Sequence, residues 1–126
     1  MERGNDWRPR YMSKKDGYPL RGEIWWVSFD RSMGTEIQKT RPAIVVSNDD
    51  ANELSEQTQV VPLTGTIMPV YPSQTIVSVL GKKSKAVAEQ ITTVSKLRLD
   101  KRIGSISASE LTDVEYILKL QLGLLK

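Results

Sequence analysis

Arg41-Pro42-Ala43-Ile44-Val45-Val46-Ser47, closed by Asn48-Asp49, is the stretch on which the fold turns. An unbroken apolar run between a proline and a polar pair reads as a buried strand over 42–47. Proline has no N–H to give to a ladder, so Pro42 is expected at the first position of that strand, where it fixes how Arg41 leaves it. The residues before it, Gly34-Thr35-Glu36-Ile37-Gln38-Lys39-Thr40, read as a loop. A guanidinium on the doorstep of a buried strand is anchored well enough for chemistry, and the Glu36 carboxylate shares its loop. The segment alone is equally compatible with a solvated loop and an incidental ion pair, since exposed pairs contribute only about 0–1 kcal/mol.

Outward from this strand the pattern is one of short β elements. Glu23–Phe29, bounded by Gly22 and Asp30, is rich in β formers. Its adjacent Trp25 and Trp26 must face opposite sides, one to the core and the other to a base or a dimer partner. Residues 48–56 are polar, with Asn48-Asp49 able to cap a short helix. Further strands are expected at Gln57–Leu63, at Gln74–Leu80 ending on Gly81, at Ala86–Val94 with the polar pair Glu89-Gln90 inside it, and at Lys101–Ser107. Ser107 and Glu110 have capping-box spacing, and Leu111, Val114, Ile117, Leu118, Leu122 and Leu125 form an apolar stripe at helical spacing. The expected fold is mainly β with a C-terminal helix, a small twisted barrel of five to six antiparallel strands plus short helices. Its long loops, 30–41 and 64–73, flank strands that would frame a shared groove.

At 126 residues the chain is long enough for one sizeable core. Residues 1–20, basic and punctuated by Pro9, Gly17 and Pro19, read as a poorly ordered tail before a domain over 21–126. There is no cysteine, which removes disulfides and thiolate metal sites. There is also no histidine, which removes His-dependent triads, paired-His ribonuclease chemistry and imidazole zinc sites. Any enzyme here works with Arg, Lys, Glu, Asp, Tyr, Ser or Thr. The net charge of +3 resides in residues 1–22, with six basic side chains against three acidic, while the rest balances at twelve of each. Within that balance residues 82–102 hold seven basic against two acidic side chains, a density that can steer a polyanion. Taken alone, the Lys82–Lys85 cluster reads as a solvated surface. No run is apolar enough for a membrane span and no secretory h-region is recognisable, so the default expectation is a cytoplasmic protein.

Arg21-Gly22-Glu23-Ile24-Trp25-Trp26-Val27, Gly34-Thr35-Glu36 and Arg41 through Asp49 together resemble the MazF/PemK (Kid) toxins. The likeness runs on through Val61-Pro62-Leu63-Thr64, Glu89-Gln90-Ile91-Thr92-Thr93-Val94, Arg98-Leu99 and Gly104-Ser105-Ile106 into the terminal helix, covering 21–124. The resemblance implies an SH3-like barrel of the CcdB/PemK/MazF type, working as a homodimer. It implies the toxin of a type II toxin–antitoxin module, a sequence-specific, metal-independent endoribonuclease of single-stranded RNA (mRNA). The products would carry 2′,3′-cyclic phosphate and 5′-hydroxyl ends. The family's catalytic arginine falls on Arg41, its catalytic threonine on Thr64, and its first-loop acid on Glu36. Thr35, Gln38, Lys39, Thr40, Gly65, Thr66 and Gln90 are the implied RNA contacts. No cofactor or metal is expected; the implied partner besides RNA is a cognate antitoxin whose acidic C-terminal tail lies over the groove. The chain departs from the family loop at Thr35 and Ile37, and again at Gly65, without touching Arg41 or Thr64.

The chemistry agrees with these residue types. RNA cleavage without metal needs an activated 2′-oxygen, charge relief on the phosphorane and a proton for the departing 5′-oxygen. Arginine's planar fork suits the second task. A threonine hydroxyl can donate to a phosphate oxygen or, equally, satisfy local backbone. A carboxylate such as Glu36 can take a proton or position Arg41. Two rival readings stand beside this one: a CcdB-like gyrase-binding toxin of the same fold, disfavoured by a C-terminus without tryptophan, and a non-catalytic SH3-like binding module.

Overall fold

Strand β1 (Glu23–Phe29) alternates between two interiors, and that alternation organises the molecule. The computed structural model describes residues 17–29 and 39–125, and the elements that follow β1 are β2 (Lys39–Val45), α1 (Asp49–Leu54), β3 (Gln57–Thr64), β4 (Gln74–Val79), β5 (Lys82–Val87), β6 (Thr92–Ser95), β7 (Leu99–Ser105) and α2 (Ala108–Gln121). Single turns of 3-10 helix at Ala88–Gln90 and Lys96–Arg98 precede β6 and β7. All pairings are antiparallel, in the order β4-β5-β3-β2-β1-β7, with β6 on the other half of β3's free edge. The result is a mainly β half-barrel closed by a C-terminal helix.

Because side chains alternate across a strand, each face of this sheet buries its own set. Ile24, Ile44, Val61, Leu63, Val77 and Ala86 face α2, which contributes Val114 and Ile117. Trp25, Val27, Ala43, Val45, Val60, Val94 and Leu99 form the second core. Trp25 is therefore interior at 7% exposure, whereas Trp26, across from Pro42 on the opposite face, is 38% exposed.

Four sequence-based expectations need correction. Pro42 is the fourth residue of its strand, not the first: β1 pairs with β2 from Lys39 onward, but the β3 ladder begins only at Ala43. Pro42 thus sits at an edge relative to β3, where a missing donor is tolerated. The expected strand Ala86–Val94 is two strands, parted at the polar pair by a helical turn in which Ile91 N–H donates to Ala88 O. That split, with β5 beginning at Lys82, makes seven strands among the described residues instead of five to six. Finally, Leu122 and Leu125 do not extend the buried stripe of α2. The helix stops at Gln121, Gly123 turns left-handed (φ 74°), and Leu124 N–H closes on Lys119 O at 2.8 Å, a Schellman end that leaves both leucines exposed.

The helix starts as its sequence predicts. Glu110 N–H donates to Ser107 Oγ while Ser107 N–H donates to Glu110 Oε1, and Ser78 N–H of β4 donates to the other Glu110 oxygen at 2.8 Å. Glu110 therefore caps α2 and bolts it to the sheet. Asn48 caps α1 through Ala51 N–H. Behind that cap lies a buried polar knot: Asn52 joins Ser47, Thr58 and, through its backbone carbonyl, the Lys96 ammonium. The knot pins the far end of β2. Of the expected tail, residues 1–16 lie outside the described part; Pro19 of the remainder is buried.

Candidate active site

The second face of the sheet is core at one end and cleft at the other. Arg41 lies on the same face of β2 as Ala43 and Val45, and Pro62 and Thr64 on the same face of β3 as Val60. Where those strands outrun the core, their side chains line an open cleft of about 240 Å³. Its walls are Arg41, Pro62, Leu63, Thr64, Thr66, Gln74, Lys85, Val87, Glu89 and Gln90.

Register explains why these side chains meet. The β2–β3 ladder pairs Ala43 with Pro62. The β3–β5 ladder pairs Thr64 with Lys85, and the β5–β4 ladder pairs Lys85 with Ile76. Thr64 and Lys85 are therefore directly opposed on one face, where Cβ atoms stand about 4.5–5.5 Å apart, and Arg41, two residues before the first β2–β3 pair, lines the same cleft. Pro62 lies in the gap where β3's edge passes from β6, which ends at Val60, to β5, which begins at Leu63. A residue without an N–H fits that gap.

Thr64 Oγ1 accepts from Thr66 N–H at 3.2 Å. The local backbone thus orients the hydroxyl through its oxygen and leaves its proton free for a ligand. Arg41 is half-buried and lines the cleft. Lys85 is only 7% exposed; its ammonium donates to Pro69 O at 2.8 Å and lies 6.0 Å from the centre of the Tyr71 ring. On the opposite wall Gln74 is held at both ends, its Oε1 accepting from Tyr71 N–H and its Nε2 donating to Glu89 Oε2, each at 2.9 Å. Glu89 is in this way fixed as an acceptor facing the same space. The site offers two cations, an oriented hydroxyl and an oriented carboxylate, a set suited to a phosphodiester and the base beside it.

Of the residues singled out from sequence, Arg41, Thr64, Thr66 and Gln90 come together here. Thr40, exposed and paired with Ser28, and Gly65, exposed beyond the end of β3, are not among the lining residues. Lys39 lies on β2 by its backbone, whereas Thr35, Glu36 and Gln38 lie outside the described residues. Lys85 and Gln74 were not foreseen. The signal for Lys85 was present: Leu80-Gly81 is a turn dipeptide, and counting by twos from the core residue Ala86 puts Lys85 and Val87 on the other face.

Comparisons with known proteins agree with this fold. The family model described as PemK-like, MazF-like toxin of type II toxin–antitoxin system matches residues 20–122. Endoribonuclease MazF9 of Mycobacterium tuberculosis is 43% identical over 113 residues, spanning 82% of this chain and 96% of that protein. Among solved structures, a MazE–MazF complex from Deinococcus radiodurans superposes with a TM-score of 0.75 at 25% identity, covering 87% of this chain and 100% of that one. An endoribonuclease in complex with its cognate antitoxin, from a mycobacterial species, gives 0.72 at 23% identity over 86% of this chain and 98% of that one.

Proposed function

The chain belongs to the PemK-like, MazF-like toxins of type II toxin–antitoxin systems, and from that premise we propose that its cleft cuts single-stranded RNA by internal attack of a 2′-hydroxyl. The observation that carries this reading is the gathering of Arg41, Thr64 and Lys85 in one cleft. The 2′-oxygen bonds to phosphorus as the P–O5′ bond breaks, leaving a 2′,3′-cyclic phosphate and a 5′-hydroxyl. Arg41 spans two non-bridging oxygens and takes up the charge that grows on them, an effect worth about 3–4 kcal/mol for a well-placed donor. Thr64 donates its free O–H to the same phosphate and holds it in line. Glu36, five residues before Arg41 in the sequence, is the carboxylate proposed to receive the 2′-proton, and the departing 5′-oxygen takes its proton from solvent water.

The proposed partners are ones that the surface can accommodate. An acidic antitoxin tail laid over the cleft would satisfy the cations that RNA otherwise occupies. The exposed apolar side chains of Trp26, Leu122 and Leu124 support a homodimer. The cytoplasm, where mRNA is met, is the proposed place of action. The gyrase-poisoning alternative is not favoured, since the 43% identical relative is named an endoribonuclease.

The test is cleavage of a defined single-stranded RNA with end analysis. Arg41→Ala is expected to lower the rate about 10²–10³-fold with folding intact. Replacing the 2′-hydroxyl at the cut by hydrogen is expected to abolish it. Cleavage of that deoxy-substituted RNA would overturn the 2′-attack mechanism.

A further inference from the structure

We infer that Lys85 is a second phosphate-binding cation for the RNA strand, beside Thr64 in the cleft that Arg41 also lines. The inference rests on the ribonuclease reading above and adds a residue to it. Lys85 is directly paired with Thr64 in the β3–β5 ladder, so both side chains leave the sheet on the cleft face. It is the most enclosed charged group in the cleft wall, at 7% exposure. An ammonium has three donors, and Pro69 O takes one. Among the described residues no carboxylate lies within ion-pair distance of it. Glu89, the acid in the same cleft, is instead engaged by Gln74.

Nothing about packing requires a charge at this position. Replacing a buried charged group by an apolar one of similar volume is often neutral or stabilising. A lysine with spare donors, beside an oriented hydroxyl and an arginine, is matched to an anion that enters the cleft. Its bond to Pro69 O also ties the 65–73 loop to the sheet, so one wall of the cleft is held by the group that contacts the substrate.

A purely structural tether and a phosphate contact differ in salt dependence, because only the contact releases a counterion from RNA. The experiment measures binding of an RNA made uncleavable by a 2′-deoxy substitution at the cut, over a series of salt concentrations. The proteins are wild type, Lys85→Met, Lys85→Gln and Lys85→Arg, each checked by thermal melting. The Gln variant can still reach Pro69 O without the charge. Both neutral variants are expected to bind about tenfold more weakly at low salt. The slope of log K against log[salt] is expected to be shallower by about 0.7, the value for one phosphate on a single strand. Lys85→Arg is expected to keep the wild-type slope. A folded neutral variant that retains the wild-type slope overturns the inference, however much its affinity falls. Failure of wild type to cleave the all-ribose RNA would instead strike the ribonuclease reading itself.

Discussion

Asn52→Ala is expected to be the most damaging single truncation near the site that leaves the chemistry intact. Asn52 is fully buried, and its carboxamide is used at both ends. Oδ1 accepts from Ser47 Oγ at 2.5 Å and Thr58 Oγ1 at 2.9 Å, while Nδ2 donates to Ser47 O at 2.9 Å and, more loosely, to Asp49 Oδ1 at 3.4 Å. Three good hydrogen bonds at about 1 kcal/mol each would be lost, and a backbone carbonyl left buried without its partner adds about 1–3 kcal/mol. The Ser47 and Thr58 hydroxyls still bond each other at 2.8 Å, which recovers part of the loss. The net destabilisation is about 3–4 kcal/mol, a large share of the ~5–15 kcal/mol that holds a domain of this kind together. In melting temperature that is a drop of about 10–15 °C. Urea unfolding followed by the fluorescence of the buried Trp25 measures it directly. Because Asn52 pins the end of β2 remote from Arg41, RNA cleavage well below both melting temperatures should stay within about twofold of wild type. A loss under about 1 kcal/mol would refute the reasoning, since it would mean that water or a shift of α1 replaces the bonds.

The remaining expectations concern the helix cap and one hairpin. Burial alone would raise the Glu110 carboxyl, but hydrogen bonds from Ser107 N–H, Ser78 N–H and the Ser107 hydroxyl outweigh it and lower the group below its ordinary value. A lowered folded-state value stabilises the protein above the unfolded carboxylate's pKa of about 4.3, and that contribution fades as pH falls through the folded value. The stability gap between wild type and Glu110→Gln should therefore be full at neutral pH and shrink below about pH 4; a gap independent of pH, in urea titrations from pH 7 to 3, would contradict it. In the β4–β5 turn both Leu80 (φ 52°) and Gly81 (φ 81°) are left-handed, as a two-residue I′ hairpin demands. Leu80→Asn should stabilise by about 0.5–1 kcal/mol, because asparagine tolerates that conformation, and Gly81→Ala should cost about 1–2 kcal/mol. Thermal melts of the two variants that move in the same direction would exclude this account.

How much was legible in the chain depended on how local each signal is. The capping box of α2, the Asn48 cap of α1 and the split between Trp25 and Trp26 follow from periodicity and from hydrogen bonds within a few residues, and they stand as read. The ordered motifs from Arg21 to Ile106 are enough to place the chain in its family. What periodicity could not supply was partnership between strands. Pro42 sits within β2 and not at its start because β1 reaches further along that strand than β3 does. The expected fifth strand breaks at Glu89-Gln90 because β3 changes partner from β6 to β5 there.

The cleft shows the same division. Sequence by itself determined that any chemistry here works without histidine, and the family resemblance it carries put forward Arg41 and Thr64. Only the tertiary structure decided which lysine joins them. Lys82, Lys83 and Lys85 are alike as a cluster of charge, but Lys82 lies on the opposite face of β5, Lys83 lies beyond the reach of β3, and only Lys85 is paired with Thr64. The physical reason is that side-chain direction on a strand is local, whereas the neighbour it meets is set by a ladder between residues far apart in the chain.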